Sequence, residues 1–72
     1  PEEQAAKDAD VERLALLLAR LSPRQRELLA LKYGAGLTNR EIARLLDLSE
    51  SNVGTILFRA VQDVRVHWEE KP

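Results

Sequence analysis

The stretch from Leu37 to Arg65, LTNREIARLLDLSESNVGTILFRAVQDVR, constrains the fold more than any other part of the chain, because the boundaries of two successive helices are written into it. Thr38 opens the first. Its hydroxyl can accept from the free amides of the first turn while Glu41, three residues on, reaches back to the cap backbone, the T-N-R-E capping box. Ile42, Ala43, Leu45 and Leu46 then recur on one side with a helical period, leaving Arg40, Glu41 and Arg44 for water or a polyanion. Asp47 stands where the chain must leave that helix, and Asp tolerates a left-handed backbone better than most residues, though less well than Gly. Leu48 is placed to plug the corner and Ser49 to cap the second helix. In that helix Val53, Leu57, Ala60, Val61 and Val64 follow at spacings of four, three, one and three, which makes one apolar stripe.

Two helices joined by a three-residue turn are the layout of a helix-turn-helix that reads DNA. Opposite the stripe, towards the start of the second helix, stand Glu50, Ser51, Gly54, Thr55, Phe58 and Arg59, the positions that would face a major groove. Small residues permit close approach, Thr55 can bond a base edge or a phosphate, Arg59 can fork onto a guanine or a phosphate, and Phe58 can meet a thymine methyl. Gly54 is the odd member, since a glycine inside a helix costs about 1 kcal/mol relative to alanine. Either close backbone approach to a duplex compensates or the site tolerates it. Phe58, five residues beyond Val53, is expected to be exposed rather than folded against the preceding helix.

Two further helices are expected upstream. Val11, Leu14, Ala15, Leu17, Leu18 and Leu21 form a broad apolar face, while the polar start, residues 1–7, is expected to fray. Ser22 then caps, Pro23 takes the first helical position where its missing amide does no harm, and Gln25 completes a second capping box. Leu28, Leu29, Leu31 and Tyr33 are placed to pack that helix on its neighbours, and Gly34 and Gly36 end it. The expected fold is all-α: one small four-helix domain over residues 8–68, containing a helix-turn-helix of winged-helix-like type without the wing, and a tail over 69–72.

SESNVG followed by TILFRAVQDVR resembles region 4 of bacterial sigma-70 family sigma factors, the extracytoplasmic-function group in particular, and LSPRQRELLALKYGAGLTNREIA extends the resemblance upstream. It covers Val11 to Arg65, and the ordered series L-S-P-R-Q-R-E, L-K-Y, E-I-A, S-x-x-x-V and F-R-A is more specific than a bare helix-turn-helix. The resemblance implies recognition of the minus-35 promoter element in double-stranded DNA, docking on the flap of the RNA polymerase beta subunit, and an anti-sigma factor as a further partner. It implies a DNA-binding set of Thr38, Arg40, Ser49, Ser51, Asn52, Gly54, Thr55, Phe58 and Arg59. Where members commonly show T-V-K-S-R-L-x-R-A, this chain has N-V-G-T-I-L-F-R-A, so basic residues are missing at Gly54 and Ile56, and Asp63 replaces another. Isolated affinity should therefore be weak.

Charge leads to the same expectation. The net charge of −1 is unlike that of a free-standing DNA binder. The acidic ends carry −4, and the middle, Val11 to Val66, holds nine Lys or Arg against six Asp or Glu, a balance of +3. A domain tethered to polymerase needs no strong affinity of its own, because the larger assembly supplies local concentration. Arg24, Arg26, Lys32, Arg40 and Arg44 are candidate backbone-contacting cations or an ordinary solvated face; Arg24 and Arg26 can equally pair with Glu27 or with acids of the first helix.

With 72 residues the chain can bury only about 60% of the surface its unfolded form exposes. Lacking cysteine, it must build its core from Leu, Ala, Val and Ile without disulfides, which is compatible with a bacterial cytoplasm. No apolar run approaches the roughly 20 residues of a membrane span, and the absence of methionine suggests an excised domain. No enzyme, cofactor, metal or small-molecule substrate is expected: His67 is the only histidine, and there is no phosphate loop or clustered carboxylate pair. Trp68, four residues after Val64, is expected to pack at the end of the stripe. Two other readings stand beside the sigma one. A LuxR-type output domain has a similar L-[ST]-P-R-E-R-E opening, although L-K-Y and F-R-A suit sigma better. A protein-interaction module would bind polymerase or an anti-sigma factor without touching DNA.

Overall fold

The computed structural model describes residues 2–70, with side chains from Asp8 onward. Helix α1 spans Glu2–Arg20, α2 Pro23–Leu29, α3 Asn39–Leu46 and α4 Glu50–Glu69, and α2 continues into a π-helical segment, Ala30–Gly34. There is no strand among the described residues. Helix α1 begins at Glu2, where alanines at 5 and 6 and acids in the first turn both favour a helix. Pro1, and Lys71 and Pro72 of the expected tail, lie outside the described residues.

The expected caps form. Ser22 Oγ accepts from the Gln25 amide at 3.1 Å while Gln25 Oε1 accepts from the Ser22 amide at 3.1 Å, with Pro23 beginning the helix. In the π segment the Ala35 amide donates to the Ala30 carbonyl at 2.9 Å, the Leu37 amide donates to the Leu31 carbonyl at 3.0 Å, and the chain leaves through Gly36 at φ 74°, a region that favours glycine. The corner between α3 and α4 is the three residues Asp47, Leu48 and Ser49. Asp47 takes φ 56° and ψ 48°, the left-handed conformation that lets the Leu48 amide donate back to the Ala43 carbonyl at 2.9 Å.

Leu28, Ile42 and Val53 are completely buried, Ala43 and Leu57 nearly so, and Leu29, Leu31, Leu37, Leu46, Leu48 and Ile56 pack around them. Leu48 therefore does plug the corner. The core belongs to α2, α3 and α4, so the helix-turn-helix is held at a fixed angle by the helix before it.

Three apolar assignments are corrected. Leu45 is 62% exposed, because it stands about 100° around α3 from Leu46, outside the seam made by Ile42, Ala43 and Leu46. Tyr33 is 67% exposed; the wider π turn carries it off the line set by Leu28 and Leu29. Helix α1 packs chiefly along α4, so its buried seam is narrow: Leu21 is buried and Leu17 and Leu18 half-buried, whereas Val11, Leu14 and Ala15 are exposed. Trp68 is half-buried, as expected for packing, but its partner is a cation. The Arg13 guanidinium lies 4.6 Å from its ring centroid and donates to the carbonyls of Trp68 and Glu70, the latter at 2.9 Å, closing the C-terminal end of α4 from α1.

Candidate nucleic-acid interface

The surface left by this packing has two parts, spread along the two halves of α4. Its N-terminal half presents Glu50, Ser51, Asn52, Thr55, Phe58 and Arg59, all exposed, with Phe58 65% accessible. The stripe of Val53, Leu57 and Ala60 is buried beneath them. A large aromatic ring left in water beside an arginine and a threonine is an arrangement that stacking and groove contacts can use, and the core makes no use of it.

The hydroxyls expected to touch DNA at the two helix starts are already engaged as acceptors. Thr38 Oγ1 accepts from the Glu41 amide at 3.1 Å and Ser49 Oγ from the Asn52 amide at 3.0 Å. Ser49 keeps its own O–H to donate outward, so a cap and a phosphate contact are compatible there, whereas the Thr38 hydroxyl also serves the Glu41 carboxylate. Arg40 is exposed two residues after Thr38. Arg24 pairs with Glu27 at 3.2 Å and so is committed within its own helix, while Arg26 donates to the Ala19 carbonyl at 3.4 Å rather than to an acid.

Glu41 completes the α3 cap by accepting from the Thr38 amide at 2.9 Å. Hydrogen bonds from the Thr38 backbone, then from its side chain, hold the Glu41 carboxyl below its usual range; Arg44 adds to this and slight desolvation opposes it. A depressed folded-state pKa stabilises the fold above the ordinary carboxylate range, and that contribution disappears as pH falls through the lower folded value. Urea midpoints measured down this acid window should fall for the native chain and fall less for Glu41→Gln, whose amide keeps the reciprocal cap without titrating. Identical acid limbs would show that the carboxylate adds nothing.

Gly54 is half-buried, and a Cβ built on it would meet only Asn39 Nδ2, at 3.9 Å, an ordinary contact. Nothing within the domain therefore requires glycine here. Gly54→Ala should raise the stability of the free domain by about 1 kcal/mol in urea unfolding. If it also weakens DNA binding, close approach to the duplex is the reason for the glycine; if binding is untouched, the position merely tolerates it.

Two features of the surface escaped the sequence. Asn39, the residue between Thr38 and Arg40, lies against Gly54 at the junction of α3 and α4, a proximity that only the crossing of the helices creates. Beside the C-terminal half of α4 runs an apolar groove of about 740 Å³, walled by Leu18, Leu29, Tyr33, Val64 and Trp68, with Arg26, Arg65 and Glu69 as its charged residues. Its existence explains the exposure of Tyr33 and Leu14. His67 is half-buried, its Nδ1 2.8 Å from the Asp63 carbonyl, a local contact within α4. Among the described residues no group of acids and histidines is placed to hold a metal ion, and no helix is long and apolar enough to cross a membrane.

Comparison with known proteins gives the family. The family model for sigma-70, region 4 matches residues 11–64. The chain is 37% identical over 70 residues to the ECF RNA polymerase sigma factor ShbA of Streptomyces griseus, an alignment covering 97% of this chain and 37% of that protein. No solved structure matches. The family match spans both helices and the turn between them, and on it this chain belongs to the sigma-70 region 4 family rather than with LuxR-type regulators.

Proposed function

We propose that this domain reads the minus-35 element of promoter DNA for a sigma factor, and so acts in transcription initiation without being an enzyme. The observation that carries the reading is the exposed triad Thr55, Phe58 and Arg59 on the N-terminal half of α4, held out by a three-residue turn. In this reading α4 enters the major groove, Thr55, Phe58 and Arg59 meet base edges, and Thr38, Arg40, Ser49, Ser51 and Asn52 steady the flanking phosphates, while Gly54 permits close approach. The weakly basic body then suffices, because the remainder of a sigma factor on RNA polymerase supplies the other promoter contacts.

The apolar groove supports the second half of the reading, docking on RNA polymerase through the beta-subunit flap, with an anti-sigma factor as a competing occupant. It lies along the C-terminal half of α4, so one helix can serve DNA and polymerase at once. Such work takes place in the bacterial cytoplasm. The test is to combine the full-length protein with core RNA polymerase and ask for promoter-specific initiation. Initiation that depends on the minus-35 sequence is expected; initiation indifferent to that sequence removes the reading.

A further inference from the structure

Asn39 Oδ1 is a buried side-chain oxygen with no hydrogen-bond partner. The orphan is unexpected, because the cap around it is complete: Thr38 and Glu41 satisfy each other's amides, and the helix needs nothing from the residue after its cap. Leaving a buried acceptor unpaired costs free energy that any small apolar residue at this position would avoid. Yet the amide is held where α3 begins, between exposed Thr38 and Arg40, with Nδ2 3.9 Å from where a Cβ on Gly54 of α4 would lie. The residue as a whole is only half-buried. Its carbonyl is thus sacrificed to the interior while the amide nitrogen sits at the junction of the two helices.

We infer that Asn39 is a further DNA-contact residue, one that donates from Nδ2 to a phosphate oxygen of the strand passing over Gly54. This rests on the reading of α3 and α4 as a DNA-binding pair. The first helix of such a pair crosses the sugar-phosphate backbone, which makes a phosphate the acceptor within reach of α3 and a base edge the business of α4. Gly54 belongs to the same contact: the lack of a side chain at 54 leaves the space beside Nδ2 open for the backbone of the duplex. A neutral amide neutralises no phosphate charge, so this contact releases no counterion, unlike one from Arg40.

The test compares Asn39→Ala, Asn39→Gln, Arg40→Ala and Arg59→Ala. Promoter binding is measured in holoenzyme assembled from the full-length protein, and urea unfolding on the 72-residue chain. Asn39→Ala is expected to weaken promoter binding about fivefold, equally on minus-35 sequences good and poor, with the salt slope unchanged. Arg40→Ala should lower that slope by about one. The urea midpoint of Asn39→Ala should hold or rise, since the orphan is gone, and Asn39→Gln, which keeps the amide, should recover part of the binding. Unchanged binding by Asn39→Ala overturns the inference, as does weaker binding accompanied by a lower urea midpoint, which would make the amide structural. If Arg59→Ala also leaves sequence discrimination intact, it is the DNA-reading function that fails, and the two failures are distinguishable.

Discussion

Replacing Ile42 with alanine is expected to cost the domain about 2–5 kcal/mol, the range for a large aliphatic side chain removed from a closed interior. Ile42 is completely buried, with Leu28 of α2 and Val53 of α4 as the other fully buried members of its cluster. A domain of 72 residues is worth only roughly 4–11 kcal/mol at the usual stability per residue, so this single change removes a large share of the whole. The site is also poorly able to collapse. Ile42 sits one helical turn from a capped start and one from the left-handed corner at Asp47, and both boundaries limit how far α3 can move to fill the space. Urea unfolding followed by helical circular dichroism would show the midpoint falling steeply, whereas Leu45→Ala, on the exposed side of the same helix, should shift it by only a few tenths of a kcal/mol. Comparable losses at the two positions would mean that the core of α3 has been assigned to the wrong face.

Arg59→Ala carries the largest expected effect on function. Arg59 is exposed on α4 one residue after exposed Phe58, and it has no ion-pair partner among the described residues. Its guanidinium is therefore free to make a bidentate contact, which is worth about 1–3 kcal/mol of discrimination against the wrong base pair, roughly 5- to 150-fold. In holoenzyme carrying the full-length protein, Arg59→Ala should narrow the difference between promoters with good and altered minus-35 elements by a factor in that range. The fold should be unaffected, because Arg59 touches no part of the core. Initiation that stays fully dependent on the minus-35 sequence would take Arg59 out of the reading face. The missing basic residues at Gly54 and Ile56 make the arginine more important here, since α4 offers few other cations near its start.

Local chemistry was the most legible part of this protein. Both capping boxes, the proline at the start of α2, the left-handed Asp47 and the Ser49 cap follow from residues within four positions of one another, and short-range steric and hydrogen-bond rules decide such features before any tertiary contact exists. The exposure of Phe58 was legible for a related reason: once the stripe of Val53, Leu57 and Ala60 is fixed, helical geometry alone puts Phe58 on the other side. Periodicity was less decisive at the margins of a stripe. Leu45 and Leu14 look apolar enough to bury, but Leu45 turns outward from the seam of α3 and Leu14 only borders the open groove.

The sequence by itself therefore determined where most of the helices begin and end, which face of α4 is buried and which is left exposed, and the family to which the chain belongs. Only the tertiary structure decided how much of each apolar face finds a partner, because that depends on distances between elements remote in the chain. The crossing of α3 and α4 brought Asn39 to Gly54, and α1, packed along α4 but hardly touching α2, left the apolar groove open. The Arg13 guanidinium reached the end of α4 across 55 residues, a contact no local pattern encodes.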